Sequence, residues 1–122
     1  MSQRRVVITG LGAVTSVGNT AVDSWNAVKE GKSGAGPITL FDATEFPVKI
    51  AAEVKDFVAK EHMDFKAAKR MEPFSQYAVV AAKEAMDQAG INMEQEDPYR
   101  VGVMIGSGIG GLATMEKEHS TS

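Results

Sequence analysis

The sequence predicts an α/β fold, in which a central strand is covered by helices on both sides. One observation is that the apolar run at residues 101–105 leads into a glycine cluster at residues 106–111 and then into residues with helical spacing. This order is typical of a strand, a tight turn and a helix. A second observation is that a β-branched run within residues 4–14 ends in Gly10 and Gly12 and precedes another amphipathic stretch. Strands that alternate with helices favour the α/β class.

Length and composition limit the possible functions. The chain has 122 residues, of which 43% are hydrophobic and 24% are charged, so we expect one domain with one core. The formal net charge of -3 gives no general attraction to nucleic acid or to an anionic membrane surface, and we expect neither partner. The apolar run near the N-terminus is too short for a signal peptide or a membrane span, which favours a cytoplasmic protein.

The chemistry of a thiol is excluded within this sequence, since it contains no cysteine. A disulfide framework, a thiolate metal site and a cysteine nucleophile are therefore absent from these residues. The two histidines, His62 and His119, are far apart and lie in polar stretches, which predicts surface residues rather than a catalytic or metal-binding pair. We expect no metal site.

The first part of the chain predicts a strand, a loop and a helix in order. Residues 4–14 read as a buried strand that leads to a tight turn, and residues 15–19 as a polar loop. Thr20 with Asp23 resembles a capping box, and Gly31 is placed to end the helix in the left-handed conformation. The spacing puts the apolar inner face at Ala21, Trp25 and Val28.

The middle of the chain predicts a loop, an edge strand and a basic helical turn. Residues 32–37 are rich in glycine and predict a surface loop, whereas residues 48–55 alternate and predict a strand near a sheet edge. Lys66, Lys69 and Arg70 fall on one face of a helical turn within residues 64–71. Such a face is either merely solvated or a contact for an acidic partner.

The most regular helix is predicted at residues 73–89. Pro73 suits the first turn, a stripe of alanines follows at three- and four-residue steps, and Gly90 closes the helix. The stripe predicts close packing against a neighbouring segment. Residues 91–98 then form a polar connection to the predicted central strand at residues 101–105, and a helix is expected from Leu112 to His119.

The glycine cluster also satisfies the pattern G-x-G-x-x-G at residues 106–111. That pattern is typical of dinucleotide-binding domains, where it lies in the first strand–helix unit and an acidic residue follows about 20 positions later. Neither condition is met here. A small Rossmann-like nucleotide-binding module is therefore one alternative hypothesis, and only the match to this glycine pattern supports it.

Three segments together resemble a known family. Residues 4–19 (RRVVITGLGAVTSVGN), 70–77 (RMEPFSQY) and 106–112 (GSGIGGL) resemble the β-ketoacyl-acyl-carrier-protein synthases, above all the synthase II branch that elongates bacterial fatty acids. The resemblance implies the thiolase-like fold, with two duplicated α/β halves, each a mixed sheet covered by helices, and a homodimer. Residues 1–122 would then be the N-terminal part of the first half.

The resemblance also implies a reaction and its participants. Members of this family carry out the decarboxylative Claisen condensation of malonyl-acyl-carrier protein with an acyl thioester, without a nucleotide, flavin or other cofactor. Their active-site cysteine and two histidines would lie beyond Ser122, so we expect no catalytic residue and no activity in this chain alone. A catalytically dead carrier-protein binder is a further alternative. The acyl-chain length and the choice between fatty-acid and polyketide synthesis stay open.

Two sites carry over from the family by position. Ile109, the isoleucine of the GSGIGG segment, matches the residue that lines the acyl-chain pocket, although a simple packing role is the other interpretation. Lys66, Lys69 and Arg70 match the basic patch that docks the acidic acyl-carrier protein. The resemblance thus assigns one substrate-binding residue and three carrier-protein-binding residues.

Overall fold

A computed structural model describes residues 3–112 and Met115. This part of the chain contains three α-helices, one two-stranded antiparallel sheet and two short 3-10 turns. The helices are α1 (Ala21–Lys29), α2 (Phe65–Lys69) and α3 (Pro73–Ala89), the strands are β1 (Ala35–Pro37) and β2 (Ile50–Ala52), and the 3-10 turns are Ala59–Glu61 and Pro98–Arg100. In these residues none of the helices is long and apolar enough to cross a membrane.

The ends of α1 confirm the predicted helix signals. The hydroxyl of Thr20 accepts a hydrogen bond from the backbone N–H of Asp23 at 3.1 Å, which satisfies one of the free donors of the first turn. At the other end Gly31 has φ 72, and its N–H and that of the next residue donate to carbonyl groups of the last turn at 3.0 Å. This is a Schellman motif, which needs the left-handed residue that glycine supplies.

The inner face of α1 differs from the prediction. Ser24 and Ala27 are buried, whereas Trp25 is 61% exposed and Val28 is also exposed. The helix approaches the turn at residues 15–18 so closely that a Cβ on Gly18 would overlap its first turn. Only small side chains fit at that distance, so the apolar periodicity identified the wrong face. Ser24 shares a hydrogen bond of 2.8 Å with the hydroxyl of Thr15.

The sheet contains one strand, β2, that is shorter than predicted and another, β1, that was not predicted. β1 pairs antiparallel with β2 in the register Ala35↔Ala52, Gly36↔Ala51 and Pro37↔Ile50. The prediction of an uninterrupted loop at residues 32–37 is therefore wrong, and the strand predicted at residues 48–55 shrinks to β2. Pro37 lies between hydrogen-bonded pairs of the ladder, so its missing N–H removes no bond, and the N–H of Ile38 still donates to the carbonyl of Lys49 at 2.9 Å. Both strands are edges of this sheet, as expected for β2.

Helix α3 has the predicted bounds, and its alanine stripe packs closely against a neighbouring segment, as predicted. Gly90 ends the helix with φ 70. On the stripe, the backbone of Gly10 and Gly12 lies directly against the carbonyl groups of Ala85 and Ala81, and a Cβ on either glycine would overlap them. Small residues on both sides thus let an extended segment lie against the helix.

Two polar side chains of α3 hold this extended segment in place. The backbone N–H of Leu11 donates to the amide oxygen of Gln88 at 2.6 Å, and the N–H of Ala13 donates to the carboxylate of Glu84 at 3.1 Å. The same carboxylate accepts the N–H of Ala21 at 3.0 Å, at the start of α1. Glu84 therefore links three parts of the chain: the N-terminal segment, α1 and α3.

The strands predicted at residues 4–14 and 101–105 are not strands in the described part of the chain. Both segments are extended and largely exposed, with Met104 at 99%. A β-strand requires a ladder of backbone hydrogen bonds, and the described residues provide no ladder partner for either run. After the glycine cluster, Leu112 and Met115 are helical, while the rest of the predicted helix, including His119, lies outside the described residues.

The core is shallow for a chain of this length. Among the described residues the buried hydrophobic side chains are all alanines, at positions 27, 43 and 68. The accessible surface is 10447 Å² for 13.0 kDa, against about 6,300 Å² expected for a compact monomer of that mass. The expectation of one closed core is therefore wrong for these residues, since their larger apolar side chains remain accessible.

Candidate functional site

The glycine loop, residues 106–111, folds against the N-terminal end of α3. The hydroxyl of Ser107 accepts the backbone N–H of Gly110 at 3.0 Å, which closes a tight turn. Gly110 has φ 81, and a Cβ there would lie 3.8 Å from the ring of Phe74. The backbone of Gly111 abuts the carboxylate of Glu72, so a Cβ would overlap it. Conformation therefore favours glycine at position 110, whereas a side chain at position 111 would require only that the flexible Glu72 side chain move.

Ile109 lies on the exposed side of this loop. Its side chain is 77% exposed, so it is not packed against the described residues. The simple packing interpretation is thus not supported by these contacts. Its assignment to an acyl-chain pocket stays a prediction, because the described residues form no enclosed pocket around it.

An open cleft of about 420 Å³ lies between β2, the start of α3 and the end of the glycine loop. Its lining is mostly apolar and includes Leu40, Ala52, Glu53, Val54, Pro73, Phe74, Tyr77, Gly110, Gly111 and Leu112. The hydroxyl of Thr39 donates to Glu53 at 2.8 Å, and this hydrogen bond holds the pKa of that carboxyl below its ordinary value. The carboxylate is therefore engaged with the loop before β2, and the cleft offers mainly an apolar wall.

The basic patch, Lys66, Lys69 and Arg70, is built on α2 and its C-cap. Asp64 caps the helix by accepting the N–H of Ala67 at 3.2 Å, and all three cationic side chains are exposed. Within the described residues none of the three forms a salt bridge. The structure therefore brings the predicted residues together as one accessible cationic surface.

Sequence reasoning missed a cleft of about 340 Å³ beside this patch. It is formed by the segment before α2, by α2 itself and by Gln76 of α3, so no local periodicity signals it. The ammonium group of Lys69 lies 4.7 Å from the centroid of the Phe65 ring. The i, i+4 spacing of these two residues was the one available signal.

His62 takes no part in a catalytic or metal-binding arrangement in the described part of the chain. It is exposed and stacks on the ring of Phe57 with centroids 5.4 Å apart, and Phe57 in turn contacts Tyr77 edge-on at 4.9 Å. Residues 3–112 and Met115 include no group of three or more potential metal ligands. The predicted surface role of His62 is thus confirmed, whereas that of His119 lies outside the described residues.

Comparison with known proteins identifies the family. Residues 3–122 match the sequence model of the beta-ketoacyl synthase, N-terminal domain. The chain belongs to the β-ketoacyl synthase family. The 3-oxoacyl-[acyl-carrier-protein] synthase 2 of Vibrio harveyi is 49% identical over 120 residues, and that of Coxiella burnetii is 47% identical over 119 residues. Each alignment covers 98% of this chain and 29% of the relative.

A solved structure supports the same family at the level of the fold. The ishigamide ketosynthase/chain length factor aligns with a TM-score of 0.66 and 38% identity, covering 76% of this chain and 23% of that one. The chain thus spans less than a third of the length of these β-ketoacyl synthase relatives. The resemblance carried by the three sequence segments is confirmed.

The nucleotide-binding alternative gains no support from the structure. A dinucleotide fingerprint joins a strand to a helix whose N-terminus holds the pyrophosphate. Residues 101–105 form no strand, and the end of the glycine loop lies beside Glu72 and Phe74. In this β-ketoacyl synthase chain Gly110 and Gly111 lie against the start of α3, whereas a Cβ on Gly106 or Gly108 would meet nothing within 4 Å.

Proposed function

We propose that residues 1–122 are the N-terminal part of a 3-oxoacyl-[acyl-carrier-protein] synthase of fatty-acid elongation. The observation that carries the proposal is the 49% identity to the synthase 2 of Vibrio harveyi across 98% of this chain. The full-length protein would have the thiolase-like fold with two duplicated halves and would act as a cytoplasmic homodimer. This part would supply the glycine loop beside the substrate and the basic patch for the carrier protein.

The proposed reaction sets what the remainder of the protein must contribute. Malonyl-acyl-carrier protein loses carbon dioxide, the resulting carbanion attacks the carbonyl carbon of a bound acyl thioester, and the thiolate leaves as the carbon–carbon bond forms. Transfer of the acyl group needs a covalent nucleophile, and these 122 residues include no cysteine. We place the nucleophile and the groups that stabilise the carbanion after residue 122.

A condensation assay on the full-length protein tests the proposal. We expect malonyl-acyl-carrier protein and an acyl-acyl-carrier protein to yield carbon dioxide and 3-oxoacyl-acyl-carrier protein in equal amounts. A titration with NAD(P) tests the alternative that the protein is a nucleotide-binding module. Saturable nucleotide binding that is lost in Gly108→Val, with no condensation product, would replace our proposal by the nucleotide-binding one.

The exposed side chain of Ile109 yields a prediction about substrate length. If it lines the acyl pocket, Ile109→Phe adds bulk there, and turnover of long acyl chains should fall about tenfold more than turnover of short ones. Measuring kcat/KM across a series of acyl lengths checks this. Ile91→Phe makes the same change at another exposed site after α3 and should leave the ratio unaltered. An equal loss at all lengths would assign Ile109 a structural role.

The basic patch yields a prediction about association. Lys66→Glu with Arg70→Glu reverses two exposed charges and should slow association with the acidic carrier protein about tenfold or more at low salt, with little effect at high salt. Stopped-flow association rates at several ionic strengths measure this. Lys29→Glu with Lys32→Glu makes the same net change on α1 and its C-terminal loop and is the control. An unchanged association rate with an unchanged salt dependence would show that the patch is only a solvated face.

A further inference from the structure

Three backbone carbonyl groups converge on the ammonium group of Lys55. Its Nζ donates to the carbonyl oxygen of Gly34 at 2.8 Å and to those of Ser16 and Glu53 at 3.0 Å. Ser16 belongs to the turn before α1, Gly34 directly precedes β1 and Glu53 directly follows β2. A lysine ammonium has three N–H donors, so these three carbonyl groups use all of them.

The three carbonyl groups are also held near one another by contacts that do not involve the ammonium. The backbone of Gly34 abuts Ser16, and a Cβ on Gly34 would overlap the Ser16 side chain. The turn that contains Ser16 is closed by the N–H of Thr15, which donates to the carbonyl of Gly18 at 2.8 Å. Gly34 and Glu53 extend from β1 and β2, which are paired with each other. The backbone therefore forms this group of carbonyl oxygens without help from the lysine.

The backbone that carries Lys55 is fixed as well. The side-chain amide of Asn19 donates to the carbonyl of Lys55 at 3.1 Å and to that of Asp56 at 3.3 Å. Asp56 has φ 57, in the left-handed region that few residues other than glycine adopt. A cavity of about 230 Å³ adjoins this junction, and Lys55 and Asp56 supply charged groups to its lining. Without the ammonium, three carbonyl oxygens and a nearby carboxylate would remain, and this arrangement attracts a cation.

We propose that the three carbonyl oxygens form a monovalent-cation site in which the ammonium of Lys55 is the resident cation. Backbone carbonyl oxygens can replace the hydration shell of a monovalent cation, and ammonium ion offers the same N–H donors as the lysine head group. Glu53 and Val54 line the open cleft beside the glycine loop, so the resident ammonium ties this wall of the cleft to the turn before α1. Packing of the remaining protein over the site would leave these bonds in place, since all the partners are described residues.

Shortening Lys55 in the full-length protein tests this site. Lys55→Ala should lower the Tm by several degrees, because three carbonyl groups lose their common donor. Ammonium chloride at about 0.5 M should restore about half of that loss, whereas tetramethylammonium chloride, whose cation is too large and has no N–H, should restore none. Lys55→Met removes the same donors but fills the space, so it should be destabilised without responding to ammonium. Lys49→Ala removes an ammonium that donates to one carbonyl group and should respond to both salts as wild type does.

The melt of wild type in the same two salts measures their general effect, which is subtracted from that of each variant. A Tm of Lys55→Ala equal to that of wild type would overturn the tie through the ammonium. An equal response of Lys55→Ala to both salts, or an equal response of Lys55→Ala and Lys55→Met to ammonium, would overturn the cation site. If Lys55→Ala does not fold in ordinary buffer, it is refolded from urea in each salt. Soluble protein from ammonium chloride alone would support the site, and equal yields from both salts would overturn it.

Discussion

Gly12→Val is expected to destabilise the protein strongly. The backbone of Gly12 lies against the carbonyl group of Ala81 on α3, and a Cβ at this position would overlap backbone atoms that cannot rotate away. The N-terminal segment would have to leave the helix, together with the hydrogen bond from Ala13 to Glu84. We expect a loss of at least about 3 kcal/mol, which is a large part of the stability of an ordinary domain.

The measurement is the thermal melt and soluble yield of full-length protein. Gly36→Val is the matched control, because a Cβ on Gly36 meets nothing within 4 Å and the residue lies in β1, where valine is well tolerated. We expect the control to melt within a few degrees of the parent. If Gly12→Val and Gly36→Val melted alike, the close packing of residues 10–12 on α3 would be wrong.

Local signals in the sequence predicted the helices well. The hydroxyl of Thr20, the left-handed glycines Gly31 and Gly90, and the proline at the first position of α3 all act within one turn of their own position. Such interactions depend on a few neighbouring residues, so they can be inferred without knowing the fold. For the same reason the stripe of small residues on α3 correctly indicated a close neighbour.

Non-local contacts account for the errors. The runs at residues 4–14 and 101–105 have strand composition, but strand formation depends on a partner that no local pattern identifies. The inner face of α1 was assigned to Trp25, yet Ser24 and Ala27 are the buried residues, and Ser24 contacts the 15–18 turn. Strand β1 contains glycine and proline and was read as a loop, since only its pairing with β2 defines it.

The candidate sites also differ in whether local sequence or non-local contacts define them. The basic patch follows from spacing within α2, and the structure places its three residues together on an exposed face. The cleft beside the basic patch combines residues 57–60, α2 and a glutamine of α3, so it could be recognised only after folding. Ile109 was assigned through the resemblance, and the described contacts leave its side chain free to meet another part of the protein.

Residues 1–122 expressed alone are expected to have no condensing activity and to self-associate. Loss of activity follows from the proposed mechanism, since the chain has no cysteine to accept an acyl group. Self-association follows from the exposed apolar surface. Val6, Val103 and Met104 are among the exposed side chains, and neither residues 4–14 nor residues 101–105 belong to a sheet among the described residues. In the full-length protein, we propose, these surfaces pack against the remaining residues.

Sedimentation velocity and a malonyl-dependent condensation assay, run on this chain and on the full-length protein side by side, test both parts. We expect a broad distribution of aggregates and no product from residues 1–122, and a discrete species with turnover from the longer protein. A variant with Val103→Lys and Met104→Lys should reduce aggregation of the short chain, because it adds charge to one exposed run without removing any buried contact. A monodisperse, cooperatively melting monomer would show that the short chain needs no covering surface, and measurable condensation would show that its nucleophile is not a cysteine.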